Sequence, residues 1–188
     1  MMADANETNY GPLAGLIGIW TGDKGLDVAP EPDGSAEESP YYERLVFEAA
    51  GTTENAEEQV LAVVRYQQTV RRKSNKVVFH SQVGYWMWDA ATGVIMQSLT
   101  IPRGLCVLAG GEHDGNVSGV VSLRVRARLG QADWGILQSP FMSEKARTVA
   151  YGHGLTIDGD QLSYEETTSL EIYGNSFEHT DHNVLMRK

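Results

Sequence analysis

The 188 residues include only one cysteine, Cys106, which excludes an internal disulfide framework and a cysteine-rich zinc site. That usage fits a reducing compartment, and the cytoplasm is the default expectation. Positive charge is also scarce. Lys and Arg number 15 against 25 Asp and Glu, a formal net charge of −10. A chain of that sign is repelled by a phosphate backbone and by an anionic bilayer, so neither nucleic acid nor membrane is expected as a partner. No stretch approaches the roughly 18 uncharged apolar residues that a membrane-spanning helix needs. Met1 to Asn9 is polar and acidic, without a basic segment or an apolar run, and no leader is expected there. Several enzyme signatures are missing too: a Gly-x-Ser-x-Gly elbow, a phosphate-cradling glycine loop, and the His-x-His and His-Glu-x-x-His zinc motifs.

What the chain does have is 41% apolar residues and 20 glycines against 6 prolines, enough for a core joined by many tight turns. Gly11 to Gly18 is short, apolar and glycine-rich, and reads as one helical turn plugging the end of a sheet. Ile19 to Gly22 reads as a first strand. Residues 27–40, with three prolines and five acids, read as a loop. Strands are then expected at 41–49, 59–70, 76–88, 94–101, 103–110, 117–129, 146–157, 162–172 and 179–187. Turns fall at Lys73-Ser74-Asn75, at 89–93 and at Asp158-Gly159-Asp160, the last a hairpin signal. Residues 130–144 read as a loop with a short helix. This spacing predicts an all-β fold: a single antiparallel up-and-down barrel of about ten strands with a short N-terminal helical turn. One domain is expected over 11–188, after a disordered tail at 1–10.

Five histidines come first among the chemistry-bearing residues: His80, His113, His153, His179 and His182. His113 lies in a polar turn and reads as solvated. His153 stands between Gly152 and Gly154, which suggests close backbone approach or a bulge. His179-Thr180-Asp181-His182 is the densest polar cluster of the last strand. Two histidines three apart face opposite ways on a regular strand, so they do not share one metal, although either one serves as a single axial ligand to a haem iron. Cys106, among apolar neighbours, reads as a core residue. Glu165 and Glu166 face apart and form no acid–base pair. Arg124, Arg126 and Arg128 read as a solvated outer face.

The order of several segments resembles the nitrobindin-like haem-binding β-barrels. Pro12-Leu13 with Gly18-Ile19-Trp20-Thr21-Gly22 is similar to the family's opening. Tyr41-Tyr42-Glu43-Arg44, His80-Ser81-Gln82-Val83-Gly84-Tyr85, Ile101-Pro102-Arg103-Gly104, Asp158 to Tyr164 and the terminal histidine before Leu185-Met186-Arg187 follow in the family's order. The chain departs from it where Asp27 to Asp33 replaces a Tyr-Pro-Thr segment and where Gln82 replaces a glutamate. The resemblance implies a ten-stranded barrel with an apolar pocket. It also implies a last-strand histidine on ferric b-type haem, with nitric oxide binding and peroxynitrite isomerisation at that iron. The ligand is His179, or alternatively His182; the spacing to Leu185 matches the family for neither. Same-face alternation with Val184 and Met186 speaks for His182.

The expected function is accordingly a haem-binding barrel, a peroxynitrite isomerase where haem is bound. The competing expectation is a carrier of a small apolar ligand such as a fatty acid, in a lipocalin-like barrel without haem. A third is a purely structural barrel with a filled interior. The partner expected is a small molecule inside the barrel, with a homodimer left open.

Overall fold

Period-two alternation of buried and exposed residues carries almost every element of the molecule, as in Val121–Arg128, where every second side chain is buried. The computed structural model describes residues 8–188, so most of the tail expected at 1–10 lies outside the described residues. Tyr10 is already buried, and its hydroxyl accepts the Gly51 N–H at 2.9 Å. A 3-10 turn, Gly11–Leu16, is followed by β1 (Gly18–Pro30), β2 (Ala36–Asn55), β3 (Gln59–Arg72), β4 (Val78–Asp89), β5 (Val94–Ile101) and β6 (Leu105–Glu112). Then come β7 (Val121–Arg128), β8 (Ile136–Gln138), α1 (Pro140–Lys145), β9 (Ala146–Asp158), β10 (Gln161–Ile172) and β11 (Asn175–Arg187).

Every pairing is antiparallel. Chain neighbours β1 to β6 pair in succession, β6 meets β7, β7 meets β9, and β9, β10 and β11 lead back to β1. Ten strands thus close into a barrel, and β8 adds to β6 outside the ring. Closure removes the free edges that an open sheet would present.

The stretch expected as a loop at 27–40 is mostly strand. Asp27 to Pro30 continues β1 and Ala36 to Pro40 begins β2, leaving only 31–35 as the turn. A register shift between Gly22 and Gly25 bends β1. Gly25 is required there because a Cβ would collide with the Tyr41 ring. Gly84 is required in the same way against the Ser98 carbonyl. Cys106 is a second correction. It is exposed, because Leu105 and Val107 take the inward positions on either side of it.

The lower end of the barrel is apolar. The 3-10 turn adds the fully buried Leu13 and Leu16 to the core cluster that holds Trp20, Trp86, Trp88, Leu162 and Leu185. Full burial of each leucine contributes about 1.5–3 kcal/mol. The Trp20 Nε1–H donates to the Leu16 carbonyl at 2.6 Å, so the large ring enters the core with its polar atom satisfied. Arg187 fastens the turn to the end of β11. Its guanidinium donates to the carbonyls of Ile17 at 2.6 Å and Gly15 at 2.8 Å and stacks over Trp20.

Arg187→Ala is expected to destabilise the protein by about 2–3 kcal/mol in urea unfolding, since a charged donor leaves two carbonyls behind. Arg65→Ala, which loses only an exposed pair with Glu48, is expected to cost under about 1 kcal/mol. Equal losses in the two variants would remove the clamp from the account.

Candidate functional site

The upper half of the interior is polar, and alternation puts it there. On β11 the buried positions are Asn183 and Leu185, so the inward series runs through Asp181 and His179. His182 falls on the opposite parity, exposed on the outer face beside Val184 and Arg124. Its expected place as an alternative inward ligand is therefore corrected. Alternation with Val184 and Met186 marks the outer face, and the buried Leu185 sets the inner one. His179 is the terminal-strand histidine that enters the barrel. It lies across from Thr168 of β10, with the half-buried pair Leu170 and Phe177 two residues nearer the rim.

Three groups of side chains make up the polar layer. In the first, the Glu43 carboxylate of β2 accepts from Gln68 Nε2 at 2.7 Å, Asn183 Nδ2 at 2.7 Å and the Tyr164 hydroxyl at 2.9 Å. Tyr41 reaches the Tyr164 oxygen at 2.7 Å. Burial pushes Glu43 up to about 7, against the pull of its three donors.

The second group crosses from β5 to β9. Gln97 Nε2 donates to the Tyr66 hydroxyl at 2.9 Å, and Gln97 Oε1 lies 3.0 Å from His153 Nδ1. The Tyr151 hydroxyl donates to Glu166 at 2.8 Å. Burial pulls His153 down to about 3, so the ring is neutral. Because Nδ1 faces the amide oxygen it carries the proton, and Nε2 is a buried acceptor without a partner. The glycines beside His153 are not a bulge. Both pair in register with β10; a side chain would meet open space at Gly152 and ordinary contact with Arg124 at Gly154.

The third group lies nearest the rim. His179 Nε2 is 2.7 Å from Asp27 Oδ1 and 3.7 Å from Asp181 Oδ2. Asp181 is the direct register partner of Asp27 on one side and of Glu166 on the other. Three inward carboxylates therefore stand in one row across β1, β11 and β10. Burial raises Asp181, as do the neighbouring charges of Glu166 and Asp27, while His179 opposes the rise. Burial lowers His179, but the Asp27 hydrogen bond and the surrounding carboxylates outweigh it and raise the ring. Beside the row is a void of about 20 Å³ lined by Asp27, Glu166, Asp181, His80, Phe79, Val70, Gln68 and Tyr164. Phe79 reaches the void from a bulge in β4, where Val70 faces His80 and Arg71 faces Val78. The apolar pocket that the resemblance implies is thus replaced at this level by hydrogen-bonded polar side chains.

Among the five histidines, His80 faces inward and meets Gln82 at 3.2 Å, and burial lowers it. His113 remains in a loop and accepts the Gly115 N–H. Residue reading missed Asp27, Glu43 and Glu166 as site residues. Asp27 lay in a supposed loop. Glu166 had a usable signal: it shares the inward parity of Leu162 and Tyr164.

Comparison with known proteins places this architecture. A family model described as THAP4-like, heme-binding beta-barrel domain matches residues 9–187. No curated protein matches the chain significantly. A solved structure titled "Crystal Structure of Rv2717c from M. tuberculosis" superposes with a TM-score of 0.70 at 24% identity, covering 100% of this chain and 99% of that one. That likeness carries the barrel fold.

Glu43 generates a test of the polar layer. Its native pKa, about 7, lies above the ordinary 4.5, so the native state holds the extra proton between those values. Stability contributed by the neutral acid is present below pH 4.5 and is lost as pH rises toward 7. The unfolding free energy of Glu43→Gln relative to wild type is expected to improve over that window by on the order of 3 kcal/mol and to level off above it. A difference that stays flat with pH in urea titrations would show Glu43 ionised throughout.

Proposed function

The chain belongs to the THAP4-like haem-binding β-barrel family, and from that premise we propose that it binds haem at the barrel mouth with the His179 imidazole as the protein ligand of the iron. The observation that carries this reading is the direction of one ring. His179 points into the barrel from the last strand, whereas His182 points away. The donor set supports it in kind. Asp27 holds Nε2 at 2.7 Å, and a carboxylate on one ring nitrogen fixes the tautomer and leaves the lone pair of Nδ1 for a metal. Leu170 and Phe177, at the rim above His179, supply apolar contact.

The void of about 20 Å³ beside the carboxylate row is far below the roughly 300–1,000 Å³ of small-molecule sites. The residues that would hold a macrocycle are therefore those of the mouth and not of the filled interior. When bound, ferric b-type haem supplies an iron position open to nitric oxide or to peroxynitrite, whose isomerisation to nitrate requires no separate acid–base pair. The protein's part is narrower. Asp27 keeps the proton on Nε2 and orients the ring, and the packed polar layer beneath excludes bulk water from the inner side. The alternative of a fatty-acid carrier meets an interior lined by Asp27, Glu166 and Asp181, with Arg124, Arg126 and Arg128 exposed on the outer face.

Titration of the purified protein with hemin, followed in the visible spectrum, is expected to give a Soret band with one haem per chain. His179→Ala is expected to lose at least tenfold in affinity, and His182→Ala to keep both band and affinity. A wild type without the band, or a His179→Ala spectrum identical to it, overturns the reading.

A further inference from the structure

Like charges directly opposite one another across antiparallel strands destabilise a sheet. Asp27, Asp181 and Glu166 nevertheless stand in register on three adjacent strands, all turned inward. Among the described residues no lysine or arginine forms an ion pair with any of the three: His179 lies against the two aspartates, and Glu166 has the Tyr151 hydroxyl and the neutral His153 ring beside it. His179, two residues before Asp181, shares its inward face. The nitrogen of His179 and one oxygen from each aspartate lie within 4.8 Å of one another. Bonds of about 2.0–2.2 Å to a small divalent ion put neighbouring ligand atoms about 3 Å apart and opposite ones about 4 Å apart; the His179 nitrogen, at 2.7 Å from Asp27 and 3.7 Å from Asp181, is close to those separations, and a small inward shift of the carboxylates completes the shell. A void of about 20 Å³ is lined by the two aspartates together with Glu166 and His80, and is large enough for one ion or water.

We propose that Asp27, His179 and Asp181 form a binding site for a divalent first-row transition ion, taken without a porphyrin. One imidazole with two carboxylates suits manganese, iron or zinc better than calcium or magnesium, which prefer oxygen alone. The ion takes His179 Nε2 and one oxygen from each aspartate, and it displaces the proton that otherwise bridges the row. Glu166 and His80 complete or orient the set from across the void. The site uses the carboxylate-facing nitrogen of His179 and does not rest on the haem reading.

Haem-free protein titrated with Mn2+, followed by loss of the free-ion paramagnetic resonance signal, tests this directly. One ion per wild-type chain is expected, with at least a tenfold loss of affinity in Asp181→Asn, a variant of nearly the same shape. Mn2+ is also expected to raise the melting temperature of wild type and not that of Asp181→Asn. Asp27→Asn is the second variant if Asp181→Asn does not fold, with the same expected loss. Absence of saturable binding in folded wild type, or equal affinity in the aspartate variants, overturns the proposal. Because no haem is present, failure of the hemin titration leaves this test intact.

Discussion

Closing ten strands into a ring takes most inward polar atoms away from water, so those below the rim depend on partners within the barrel. This chain places a whole layer of such atoms inside. Glu43, Gln68, Gln82, Gln97 and Asn183 are all buried, and each hydrogen-bonds a side chain on another strand. Several such bonds tie together strands that are not neighbours. Gln97 of β5 meets His153 of β9, and Glu43 of β2 meets both Tyr164 of β10 and Asn183 of β11. A polar layer of this kind is specific in a way an oily one is not, because a one-residue slip of any strand would leave several buried groups unpaired at once.

The barrel consequently has two halves with different physics. Below, the 3-10 turn, Trp20, Trp86 and the leucines supply transfer free energy without directional demands. Above, geometry decides, and burial moves titrations in opposite directions according to charge type. It makes His153 a neutral ring and pushes Glu43 and Glu166 toward their neutral acids. The rim is where this compensation runs short. Among the described residues His179 is the cationic candidate hydrogen-bonded within the row of three carboxylates, so protonation of the ring, protonation of an acid and arrival of a metal are competing answers to the same excess of negative charge.

How much of this the sequence shows differs between halves. Turn chemistry at Asp158-Gly159-Asp160 and alternation through 162–172 are strong local signals, and the hairpin stands where they point. The apolar turn at Gly11–Leu16 is equally legible. The stretch from Asp27 to Pro40 is not. Its prolines and acids mimic a loop, yet Pro40 lies at an exposed position of β2 and Ser39 beside it is buried. Barrel rims allow this, because a long strand there has one face in solvent and accepts polar residues on the other. Inward parity is also hidden wherever polar residues face inward. On the last strand Val184 and Met186 look like the buried series, and only contact with Leu162 and Trp20 from neighbouring strands identifies Leu185 as the inner residue.

Asp27 shows why family membership and local chemistry separate in this protein. The barrel is specified by elements spread along the whole chain: the turn, the tryptophan strand and the closing β1–β11 pairing. Outside sterically fixed positions such as Gly25 and Gly84, the ring depends on alternation more than on any one side chain. The rim is specified by individual inward positions, and Asp27 opens the segment where the sequence departs from the nitrobindin-like pattern. One such residue does two things at once. It holds the His179 ring by its Nε2, which prepares Nδ1 as a donor, and it faces Asp181 at close range, which makes the same spot attractive to a cation. A barrel can therefore keep its family's architecture while one strand position changes which ion its mouth prefers, because the backbone fixes where Asp27 points and the side chain alone fixes what it attracts.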